Sequence, residues 1–271
     1  LRSPDGRGIH LDLIWAALLG ALQGVTEWLP VSSSGHLVIV QRVISYESVL
    51  FDAMVHGGTL LAVIVVFRTE VLGLVRGLLS LPLATITHRS LTPEERLAWY
   101  TLVGTVPIVL AGLLLADAVE AMFSNPEIAG IGLFITGFLL LATKRSKEGK
   151  SLDLRTSLIV GLAQVAAIVP GISRSGSTIS AGMISGLKRD EAVTFSFLLS
   201  VPAIAGALTL EVIRSPLREV MAPANLVGFV SSFAVGVIAI KALLAVIRRR
   251  EFHLFAYYCF ALGLVVLLLM N

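Results

Sequence analysis

Apolar residues run along this chain in long blocks separated by short polar segments, and two of the blocks are broken in the middle. Six blocks are unbroken and reach or approach the ~20 residues that a helix needs to cross a hydrocarbon core of about 30 Å. They predict spans at 49–67, 97–117, 126–142, 190–212, 224–247 and 251–270. Backbone polar groups cannot face lipid unpaired, so these blocks must be helices. The pattern therefore predicts an all-α, polytopic membrane protein, with residues 1–271 forming a single integral membrane domain.

The two broken blocks read differently. One runs from Leu11 to about Val43 and is interrupted by Glu27-Trp28-Leu29-Pro30-Val31-Ser32-Ser33-Ser34-Gly35-His36. The other runs from Thr156 to Gly186 and is interrupted by Pro170-Gly171-Ile172-Ser173-Arg174-Ser175-Gly176-Ser177-Thr178. Each leaves 12 to 15 residues on either side of the break, about half a bilayer per arm at ~1.5 Å per residue. Such breaks are tolerated at membrane depth when buried in protein or lining a wet cavity. Both blocks are predicted to be re-entrant helical hairpins.

The hairpins also resemble one another. Moved back by 141 residues without gaps, Gly161 meets Gly20, Gln164 meets Gln23, Ser173 meets Ser32, Ser175 meets Ser34 and Gly176 meets Gly35. Three predicted spans separate the hairpins, and an odd number reverses the face from which the second enters. The expectation is an inverted-topology repeat, with halves at about 11–142 and 156–270, whose hairpin tips meet near the midplane.

Charge sets the orientation. Charged residues are 14% of the chain, against about 25% in a typical soluble domain. The net charge of +3 does not point to nucleic acid, because the basic residues cluster between apolar blocks. One predicted face carries five Lys and Arg and the other fifteen, the latter including Arg248-Arg249-Arg250. The positive-inside rule then places both termini outside the cytoplasm, in a multi-pass plasma (cytoplasmic) membrane protein among membrane lipids. The single cysteine, Cys259, reads as a buried apolar side chain. Leu1–His10 is polar, shows no evident cleavable signal, and begins at Leu as a trimmed end would.

Ionisable groups at bilayer depth are costly and mark function. Arg174, set among Ser173, Ser175, Gly176, Ser177 and Thr178 at the start of an apolar helix, composes an anion site suited to phosphate, the plainer alternative being that it only pairs with Glu27 to neutralise both. The first break supplies the complement. Gln23 and Glu27 share one helical face and present oxygens to a divalent cation, Mg²⁺ or Ca²⁺; alternatively Glu27 is a general base. Ser32, Ser33 and Ser34 with His36 offer a nucleophile and a proton-transfer partner, or else the serines cap a half-helix. Asp52 and His56 form another i, i+4 pair that either lines the cavity or is structural.

Both broken motifs, together with Phe195-Ser196-Phe197-Leu198-Leu199-Ser200-Val201-Pro202, resemble the undecaprenyl-diphosphate phosphatase family, also called bacitracin-resistance proteins. The resemblance covers nearly the whole chain. It implies hydrolysis of undecaprenyl (polyprenyl) diphosphate to the monophosphate and inorganic phosphate, which recycles the lipid carrier of cell-wall glycans. It further implies that Ser33, His36 and Arg174 are catalytic, with Gln23 and Glu27 in a Glu/Gln-rich motif; Glu27 joins the catalytic set as the candidate base. A Gln at position 23 counts against a mechanism that needs two carboxylates. The rival expectation is a lipid-phosphate transporter or flippase with the same anion site, since inverted repeats with broken helices are a transporter plan. A carrier needs neither nucleophile nor base, whereas Glu27, Ser33 and His36 supply both. Whether the chain works alone or as a homodimer stays open.

Overall fold

The computed structural model describes residues 12–115, 122 and 125–269. The expectations for Leu1–His10 and for most of 116–124 fall outside the described residues. Among those described there are twelve α-helices and no strand. In chain order they are α1 (Leu13–Trp28), α2 (Ser33–Val43), α3 (Val49–Val66), α4 (Arg68–Ile86), α5 (Pro93–Leu114) and α6 (Pro126–Ala142). They continue with α7 (Leu154–Ala166), α8 (Arg174–Ile184), α9 (Arg189–Arg214), α10 (Leu217–Val220), α11 (Pro223–Arg248) and α12 (Phe255–Leu269).

Local chemistry sets the starts. Asp12, Ser48, Asn125, Asp153 and Ser173 each accept a backbone N–H of the helix that follows. Thr92 and Glu95 form a reciprocal capping box with Pro93 in the first turn of α5.

Six helices are long and apolar enough to cross a membrane; five match predicted spans, and the sixth is one the sequence did not suggest. The segment 68–96, expected to be a loop, holds α4, which follows α3 after Phe67 alone. Its apolar pattern is diluted by Arg68, Glu70 and Arg76 and interrupted by Pro82, which hid it in the sequence. The expected span at 251–270 is instead a 3₁₀ turn, Phe252–Leu254, followed by the 15 residues of α12. Four helices therefore lie between the broken segments rather than three, and counting parity no longer carries the inverted arrangement.

The core centres on Trp28, Phe67 and Phe197, with ring centroids 4.6 Å apart for Trp28–Phe197 and 5.5 Å for Phe67–Phe197. Outward faces are apolar too. Leu79, Ile86, Leu113 and Leu114 are each at least 75% exposed, a surface that matches lipid rather than water.

The broken segments are seated reciprocally. α1 packs on α11 and α7 packs on α5. At the first crossing a Cβ on Gly20 would lie 2.4 Å from the Gly228 carbonyl oxygen, and at the second a Cβ on Gly161 would lie 2.4 Å from that of Gly104. Only glycine permits so close a backbone approach.

The breaks share one cap geometry. Ser32 Oγ accepts the Gly35 N–H at 3.3 Å and lies 3.3 Å from Ser34 Oγ. Ser173 Oγ accepts the Gly176 N–H at 3.1 Å and lies 3.3 Å from Ser175 Oγ. Neighbouring helices hold the turns. Thr136 Oγ1 donates to the Gly171 carbonyl at 3.1 Å, and Cys259 Sγ donates to that of Pro30 at 3.4 Å. Cys259 is buried, as expected. Gly171 has φ +84°, and a Cβ there would strike the Ala129 carbonyl, so both backbone and space require glycine.

Candidate functional site

Glu27 ends the last full turn of α1 and is 6% exposed. A carboxylate so deeply buried is tolerable only when its oxygens accept several donors. Three converge on it. Arg174, at the first residue of α8, donates from Nη2 to Oε1. Ser33, at the first residue of α2, donates from Oγ to Oε2 at 2.6 Å. Gln23, one turn back on α1, donates from Nε2 to the same Oε2 at 2.9 Å. The two chain breaks, 147 residues apart, are thus joined through one carboxylate. Ser175 adds a bond from its hydroxyl to the Leu29 carbonyl at 3.2 Å.

Arg174 is steered by its surroundings. Its guanidinium carbon lies 5.3 Å from the Trp28 ring centroid, a cation–π arrangement that orients the fork. Its Nη1 is buried with no partner among the described residues. One arm of the guanidinium is therefore committed to Glu27 while the other is free for an anion.

The site opens into a cavity of about 520 Å³. Its polar wall is formed by Glu27, Ser32, Ser33, Ser34, Arg174 and Gln164, with Asp52, His56 and Glu211 further round. The rest is apolar, from α3 (Val49, Ala53), α5 (Ile108), the second break (Ile168, Ile172) with Ala167 before it, and α9 (Ile204, Leu208 and their neighbours). A hydroxyl-rich head that holds Arg174, continuous with an aliphatic channel, suits an amphiphile with an anionic end.

His56 belongs to this site. Its Nδ1 donates to the Asp52 carbonyl at 2.7 Å, which turns Nε2 toward Glu27 Oε2 at 3.6 Å. Asp52 in turn accepts from Gln41 Nε2 at 2.6 Å. The sequence signal was the i, i+4 spacing of Asp52 and His56 ahead of Gly57-Gly58, which left cavity and structural roles equally open.

His36 is placed elsewhere. Its Nδ1 binds the Ser32 carbonyl at 2.8 Å and its Nε2 pairs with Tyr258 Oη on α12 at 2.7 Å. It touches neither Ser33 Oγ nor Glu27. Its bond to Ser32 braces a residue at φ +68°, an unusual backbone state for a non-glycine.

The second serine cluster divides. Ser173 caps α8, Thr178 bonds back to the Arg174 carbonyl and contacts Ser196, and Gly176 packs against Thr136. These residues, with Ser175 and Ser177, shape the turn that carries Arg174 and do not line the cavity. Ser177 Oγ is buried without a partner among the described residues.

Among the described residues no group of three or more His, Cys, Asp or Glu is placed to enclose a metal. Gln23 Oε1, however, is buried and unpartnered among them, beside the Glu27 carboxylate. Mg²⁺ is commonly held by one or two carboxylates and completed by substrate phosphates. The donor set fits a cation shared in that way and does not fit a closed cage.

Fold and site together define a helical membrane protein whose buried Ser–carboxylate–guanidinium centre opens into an amphiphile-sized cavity. The family model for bacitracin resistance protein BacA matches residues 16–265, and the chain belongs to that family. An undecaprenyl-diphosphatase of Korarchaeum cryptofilum is 51% identical over 265 residues, covering 96% of this chain and all of the relative. Those of Methanosphaera stadtmanae and Rubrobacter xylanophilus are 39% and 40% identical, each over 274 residues, covering 96% and 94% of this chain and 98% and 97% of the relatives. The transporter alternative is not favoured by these relatives.

Proposed function

We propose that this protein hydrolyses undecaprenyl, or a similar polyprenyl, diphosphate to the monophosphate and inorganic phosphate. The observation that carries the reading is the Ser33 hydroxyl donating to Glu27 at 2.6 Å, beside an arginine with one free arm. That is a nucleophile on its base, next to an anion holder.

The lipid tail lies along the apolar wall of the cavity, and the diphosphate reaches the hairpin tips. Arg174 shares its charge with the diphosphate, which loosens its hold on Glu27 and makes that carboxylate a better base. Ser33 Oγ attacks the terminal phosphorus while Glu27 takes its proton. The P–O bond to the lipid-linked phosphate breaks, and the lipid monophosphate leaves with the pair of electrons. Glu27 passes that proton to the departing lipid monophosphate, then takes one from water as the water attacks the phosphoserine, and returns it to Ser33 Oγ as the Ser–O–P bond breaks and inorganic phosphate leaves. Fixed positive charge and oriented donors carry most of such catalysis.

A divalent cation, Mg²⁺ or Ca²⁺, would be held by Glu27 and Gln23 Oε1 and would neutralise diphosphate charge. The broken segments are re-entrant and the halves form an inverted repeat; the matching caps and the reciprocal glycine crossings support this. The protein resides in the cell membrane as a multi-pass protein; the Lys and Arg count that placed both termini outside treated 68–96 as one loop, and α4 removes that basis.

The test is phosphate release from a long-chain prenyl diphosphate by purified protein in detergent, with Mg²⁺, with Ca²⁺ and with chelator. Release by the wild type and its loss in Arg174→Ala and Glu27→Ala support the reading. No release under any of these conditions overturns it.

A further inference from the structure

Gln164 on α7 is 2% exposed, and neither its Nε2 nor its Oε1 has a partner among the described residues. A buried amide without hydrogen bonds is destabilising, so a position that keeps one has a reason outside the fold. The counterpart in the first half explains how it arises. Gln23 satisfies its Nε2 on Glu27, four residues on. At the 141-residue offset the residue four beyond Gln164 is Ile168, which has nothing to accept. Gln164 lines the cavity that also holds Glu27, Ser33 and Arg174. Its wall sets one arginine, Arg174, against three carboxylates, Glu27, Asp52 and Glu211. A neutral N–H donor there adds attraction for phosphate oxygen without another ion to desolvate.

We propose that Gln164 is a substrate-positioning residue whose carboxamide N–H binds a non-bridging oxygen of the diphosphate, opposite the free arm of Arg174. The inference rests on the phosphatase reading above and names a ligand group for that site. The two breaks then divide the labour. In the first, the glutamine serves the base; in the second, the equivalent glutamine serves the substrate.

The test is Gln164→Met, an apolar side chain of similar length, compared with wild type in three measurements. These are phosphate release from a long-chain prenyl diphosphate, binding of a non-hydrolysable prenyl methylenediphosphonate, and thermal unfolding in detergent. A hydrogen bond to a charged group corresponds to a roughly 10- to 150-fold effect. The expected result is a loss of that size in kcat/KM, a matching loss in analogue affinity, and a melting temperature equal to or above wild type. Activity and affinity within twofold of wild type would overturn the proposal. So would a lowered melting temperature, since that would show the amide to be satisfied within the folded protein. Failure of the Met variant to fold would overturn the proposal on the same ground, because losing an amide that has no partner in the folded protein should not cost stability. Wild-type enzyme run alongside separates the two readings. If it releases no phosphate, the activity itself is wrong; if it does and the variant matches it, only the role of Gln164 is.

Discussion

Arg174 on α8 donates directly to Glu27 on α1, so the two halves of the chain share one buried ion pair. Removing either partner leaves the other charged and buried, which costs about 3–5 kcal/mol. Glu27→Ala and Arg174→Ala should each lower the melting temperature and cut phosphate release by about a hundredfold or more. The double variant Glu27→Gln/Arg174→Met should melt closer to wild type than either single variant, yet remain inactive. Calorimetry in detergent beside a phosphate assay checks both halves. A double variant less stable than both singles would contradict the pairing as the source of the loss.

Ser33 should carry the phosphoryl group. Acid quenching of enzyme mixed with substrate should trap phosphate on Ser33, detectable by peptide mass spectrometry. Ser33→Ala should lose on the order of a millionfold in kcat, the scale of removing a nucleophilic serine. Normal turnover by Ser33→Ala would instead require direct attack by water.

His36 should behave as a brace. Tyr258→Phe removes its hydroxyl partner and should leave kcat within about threefold of wild type, with stability down by roughly 1 kcal/mol. His36→Ala should lower stability further and reduce activity without changing the shape of the pH–rate profile. A folded His36→Ala enzyme whose profile loses a limb would place His36 in the chemistry after all.

Glycine substitutions should divide by crossing. Gly20→Ala and Gly161→Ala push a methyl into a carbonyl oxygen and should each destabilise by about 1–3 kcal/mol. Gly112 and Gly206 have nothing within 4 Å of an added Cβ. Their alanine variants should be neutral or stabilised by up to about 1 kcal/mol. Melting temperatures of the four variants in one detergent decide this.

The breaks were legible because Pro30, Pro170, Gly171 and the serine runs punctuate apolar blocks, and few other patterns do so at that depth. The joining of Arg174 with Glu27 was also within reach, since two opposite charges in an apolar chain need each other. α4 was not, because Arg68, Glu70 and Arg76 make a membrane-length helix look like a loop. The distinction between Ser33 and His36 was equally hidden. Both lie on the same short stretch, and only the turn at Ser32 sends one side chain to Glu27 and the other to Tyr258. Gln164 carried a signal in its alignment with Gln23, but its lack of a partner is a property of packing alone.

Because α1 leans on α11 while α7 leans on α5, the ribosome delivers the two seats in opposite order. When α7 emerges, α5 is already made and can receive it. α1 emerges first, yet its seat is nearly the last helix synthesised, and Ser231 on that late helix still has to bond the Ala17 carbonyl. The nascent chain therefore carries an undocked hairpin through most of its own translation, in need of shelter from the insertion machinery. Glu27 and Arg174 are both made by residue 174, but the helix that carries Glu27 has its main seat only after α11 follows.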